Sequence, residues 1–155
     1  MTEQFPALPF WQMVLRLAAA VVLVTALGLE REMKQKSAGL RTLALVSLGA
    51  CGFVLAVIQG PAILPVPVSG TEYDPTGLIA AIAGGIGFLG AGAIFTAGGD
   101  VKGLTTGATI WIAGAIGTAC GVGQLALAAV VSLLTVTVLV GFRWIERVLT
   151  GQDQA

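Results

Sequence analysis

Gly85, Gly87 and Gly90 stand in "GGIGFLGAG" (84–92) at the spacing G-x-G-x-x-G, which after a β-strand can cradle a dinucleotide pyrophosphate. That chemistry needs a preceding strand, a helix whose N-terminus faces the phosphate, and an acidic residue about 20 residues further on. Here the apolar run "GLIAAIAG" precedes the glycines, and Asp100 comes too early. Nucleotide binding is therefore rejected. On a helix, Ala80, Gly84, Gly87 and Ala91 share one face, with Ala83, Gly87, Gly90 and Ile94 beside it. Such bare backbone favours close helix approach in lipid, where no hydrophobic drive brings helices together. Gly84, Gly85, Gly87, Gly90 and Gly92 are thus expected to pack helices; a hinge, or carbonyls offered to an ion, is the sharper alternative.

The remaining chemistry lies in a few charged and hydroxyl groups. Arg16 falls about 9 Å inside an apolar run at 1.5 Å per residue, where an unpaired cation facing lipid costs at least about 2 kcal/mol. Its expected partner is Asp74, as an outer-face ion pair or ion site. "GLEREMKQKSAGLRT" (28–42) sets Glu30 four before Lys34 and Glu32 four before Lys36, a pattern of helix-supporting ion pairs. Glu30, Arg31, Gly39 and Arg41 mark this compact loop as a docking surface or headgroup anchor. "GGDVKGLTTGAT" (98–109) places Asp100 and Lys102 in a turn, with Thr105, Thr106 and Thr109 opening a helix. Its free N–H groups form a potential anion site beside the basic loop, unless the hydroxyls merely cap the helix and bond across to neighbours.

No catalytic constellation emerges. The chain has no His and shows no Ser–His or Cys–His pair and no metal-ligand spacing, so no enzyme activity, cofactor or defined metal site is expected. Cys51 and Cys120 lie in apolar runs. They are expected at different depths, as packing residues and not as a disulfide.

Positioning these groups falls to membrane helices. Of the 155 residues, 56% are hydrophobic and 10% charged, with mean hydropathy +0.94, against roughly 25% charged in soluble domains. The fold class expected is an all-α integral membrane protein, a Gly-rich close-packed bundle. Five runs suit a span of about 20 residues: 10–29, 43–59, 77–97, 104–119 and 125–142. The fourth is short, and tilting or re-entry is its alternative. Arg31, Lys34, Lys36, Arg41, Lys102, Arg143 and Arg147 then share one side, which sets the N-terminus out and the C-terminus in. Asp74 reads as an N-cap before Pro75. Neither a cleaved leader nor a soluble C-terminal domain is expected. Zero net charge excludes a broad basic face for nucleic acid. No acidic residue lies mid-span, which excludes an ion-binding rotor subunit of a rotary ATPase.

"LGLEREMKQKSAGLRTLALVSLGA" (27–50), "DPTGLIAAIAGGIGFLGAGAIF" (74–95) and "VKGLTTGATIWIAGAIG" (101–117) occur in that order. The combination resembles the three signature blocks of the MgtC/SapB membrane-protein family, over most of residues 14–142. The resemblance implies a multi-pass protein of the bacterial inner membrane, linked to magnesium homeostasis, intracellular survival and virulence. It implies a regulator that docks on other membrane proteins, such as the rotary ATP synthase; a homo-oligomer is expected from the glycine face. A small oligomeric transporter or channel for Mg²⁺ or a similar divalent cation is the alternative. By position, Arg16, Glu30, Arg31, Gly39, Leu40, Arg41, Asp74, Gly85, Gly87, Gly90, Gly92, Gly103, Thr105 and Thr106 match the family's recurrent residues. Ile82 departs from the Gln that many members carry.

Overall fold

The computed structural model describes residues 8–63 and 75–150. It contains five helices, α1 (Phe10–Met33), α2 (Leu40–Ile63), α3 (Pro75–Gly92), α4 (Leu104–Gly121) and α5 (Leu125–Thr150). Between α3 and α4 lies one antiparallel hairpin, β1 (Phe95–Ala97) with β2 (Asp100–Lys102). Stretches within α1, α2, α4 and α5 are long and apolar enough to cross a membrane, while α3 is a shorter apolar helix. Its 18 residues rise about 27 Å, just under the roughly 30 Å hydrocarbon core.

Helix ends follow from local backbone geometry. α4 closes in a Schellman motif: Gly123 adopts φ 88°, its N–H donates to the Cys120 carbonyl, and the Gln124 N–H donates to that of Ala119. α1 closes the same way at Gln35, a non-glycine residue with φ 52°, with the Gln35 and Lys36 N–H groups donating to the Glu32 and Arg31 carbonyls. The helix therefore ends before Lys34 and Lys36 can join Glu30 and Glu32 on one face, and the expected i,i+4 pairing does not form. Glu32 turns to α2 instead, its Oε2 accepting the Leu40 N–H at 3.0 Å. A carboxylate at a helix N-terminus is stabilised by the macrodipole.

The third run is also shorter than expected. Helix stops at Gly92 and not at residue 97, because Gly98 and Gly99 both adopt positive φ, 64° and 89°. Two such residues make the two-residue turn whose twist suits a hairpin, and Phe95 pairs with Lys102. Asp100 and Lys102 are strand residues of that hairpin. Gly103 follows with φ 89°, and a side chain there would strike the Ala93 carbonyl.

α4 is the centre of the bundle, with two-thirds of its span buried and neighbours in α1, α2, α3 and α5. Ile110, Ala113, Ile116 and Cys120 join Ala20, Val24 and Leu27 of α1 and Leu43 and Cys51 of α2 in the core. Glycines make the contacts possible. A Cβ on Gly117 would overlap the Ser47 carbonyl, one on Gly121 would lie 2.6 Å from Val54 Cβ, and one on Gly114 would overlap Ile86. Gly107 crosses Gly90 of α3 backbone to backbone. Gly121 also approaches the Cys51 carbonyl, so the two cysteines lie at neighbouring levels. The expected separation in depth fails because α4 ends beside the middle of α2. Both thiols are free and buried.

α3 behaves differently. Of its five expected packing glycines, Gly90 alone meets a neighbour among the described residues; a Cβ on Gly84, Gly85, Gly87 or Gly92 would touch nothing. A helical Gly→Ala change in open space stabilises by about 0.5–1 kcal/mol. Gly84→Ala should accordingly leave the thermal midpoint in detergent unchanged or raised, whereas Gly117→Ala should lower it by several degrees.

Candidate functional site

The chemistry-bearing residues converge on the two ends of α4, reached by one stripe of α1. Ala20, Val24, Leu27 and Arg31 are buried at spacings of four, three and four, the period of a single helix face. Arg16 extends that stripe by one more turn. The separation from Arg16 to Arg31 equals that from Thr106 to Gly121, about 22 Å at 1.5 Å per residue. Antiparallel α1 and α4 therefore place one arginine at each end of the buried helix.

At the C-terminal end, Arg16 Nη1 donates to the Gly121 carbonyl at 2.7 Å, and its guanidinium lies against the position a Gly123 side chain would take. A cation beside the last carbonyls of a helix complements their partial negative charge. Asp74, its expected partner, lies outside the described residues. Nearby, Gln59 of α2 is buried; its Oε1 accepts the Leu8 N–H at 2.8 Å and its Nε2 donates to Met13 Sδ at 3.3 Å.

At the N-terminal end, Arg31 is only 5% exposed, and its Nη2 donates to Thr106 Oγ1 at 2.6 Å. The expectation that Arg31 belongs to an exposed docking loop is corrected: α1 continues one turn past Leu29 and carries the guanidinium into the bundle. Glu30 is half-buried beside it, Gly39 sits in the turn under Glu32, and only Arg41 of that set is exposed. Glu30, Arg31, Lys36, Thr105 and Arg143 line a cavity of about 410 Å³. Gly103 supplies no side-chain cap to α4, and Thr109 turns back to the Thr105 carbonyl at 2.6 Å. The threonines thus leave the first amides of α4 uncapped, while the expected bonding across to a neighbour is made by Thr106, which accepts from Arg31.

Two serine clamps escaped the reading of the sequence. Ser47 Oγ donates to the Ala20 carbonyl at 2.9 Å, and Ser132 Oγ to that of Leu23 at 2.6 Å, tying α2 and α5 to α1. A lone Ser within an apolar run was the available signal, since a hydroxyl in lipid seeks a carbonyl on a neighbouring helix. Among the described residues no three His, Cys, Asp or Glu gather as metal ligands.

Removing the acceptor of a buried cation costs about 1–3 kcal/mol. Thr106→Val should therefore lower the thermal midpoint clearly, while Thr137→Val, whose exposed hydroxyl bonds only within its own helix, should change it little.

The MgtC family model matches residues 17–148. Protein MgtC of Salmonella typhimurium is 42% identical over 142 residues, covering 90% of this chain and 55% of the relative. Protein MgtC of Brucella abortus is 41% identical over 138 residues, covering 88% and 53%. An uncharacterized protein of Synechocystis is 37% identical over 139 residues, covering 90% and 56%. The chain spans about half the length of these curated relatives, and no solved structure matches it. The matched segment runs from the Arg16–Gly121 end of the bundle through the whole of α4 to the Arg31 cavity and beyond, and the chain belongs to the MgtC family.

Proposed function

We propose that this chain is a non-enzymatic factor of the bacterial inner membrane, linked to magnesium homeostasis and intracellular survival, that acts by docking its helices on other membrane proteins and on copies of itself. The observation that carries the reading is the open face of α3. Gly85 and Ala81 of α3 and Gly49 and Ala56 of α2 line an apolar groove of about 620 Å³, and Gly84, Gly87 and Gly92 extend the uncovered backbone. Small residues let another helix approach to backbone contact, which is where association in lipid gains its van der Waals energy.

A second copy is the occupant tested first, with the rotary ATP synthase as a candidate partner of another kind. The N-terminus faces out and the C-terminus in, as the cation distribution favours. Mg²⁺ binding by one or two carboxylates with retained waters would fall to residues such as Asp74, and ion transport is the competing reading.

Two measurements separate the readings. Gly85→Leu should reduce self-association in bilayers at least tenfold, measured by energy transfer between labelled copies, without lowering the thermal midpoint in detergent. Proteoliposomes should show no Mg²⁺ flux above protein-free vesicles; a flux abolished by Asp74→Asn would overturn the docking reading.

A further inference from the structure

We draw no further inference here: the strongest candidate, the apolar groove of about 280 Å³ between α3 and α4 that Trp111, Ala115 and Thr118 line, is an unpartnered helix face, and nothing in the structure shows what covers it.

Discussion

Burying α4 on several sides requires close approach of its neighbours, and glycine makes that approach possible. Gly107, Gly114, Gly117 and Gly121 meet, in turn, a backbone, an isoleucine, a carbonyl and a valine on α2 and α3. With no hydrophobic drive between helices in lipid, the energy of the bundle comes from these short contacts and from hydroxyl-to-carbonyl bonds such as those of Ser47 and Ser132. Everything chemically distinctive is then arranged at the two ends of that helix. Arg16 and Arg31 share the face of α1 that lies along it, and the equal spacing of their partners ties one arginine to each terminus.

The same geometry separates two kinds of glycine. Those of α4 are committed to the interior, and a methyl group added there collides with backbone or a branched side chain. Of those in α3, Gly84, Gly85, Gly87 and Gly92 are open among the described residues. A helix that retains uncovered backbone beside an apolar groove can be approached closely by another helix. The fold therefore gives α4 the interior contacts and leaves Gly84, Gly85, Gly87 and Gly92 of α3 uncovered among the described residues, the face on which the proposed association rests.

Much of this was legible in the sequence. The apolar runs marked the helices, the cations collected at one end of the bundle, and three ordered blocks indicated the family. What was not legible depended on neighbours. Glycine content defines a stripe but not what lies opposite it, so Gly85 and Gly117 looked alike although one is open and the other is pressed on Ser47. Arg31 read as a surface residue because it follows the apolar run; only the register Ala20, Val24, Leu27, Arg31 shows that it continues the buried face. Phe95, Thr96 and Ala97 looked like the end of a span, and the dipeptide Gly98-Gly99 was the overlooked hairpin signal. The uncapped start of α4 could not be read at all, since Thr105, Thr106 and Thr109 are all able to cap and the fold uses their hydroxyls otherwise.

Whether the open α2–α3 face meets a second copy in the membrane is decided by cysteine crosslinking in native membranes. The two natural thiols are buried, so Gly85→Cys introduces one accessible sulfur on the groove and Leu133→Cys one on the exposed face of α5. A disulfide-linked dimer is expected on mild oxidation of the Gly85→Cys chain and monomer from the Leu133→Cys chain. Dimer from Leu133→Cys with none from Gly85→Cys would contradict association through the α2–α3 face.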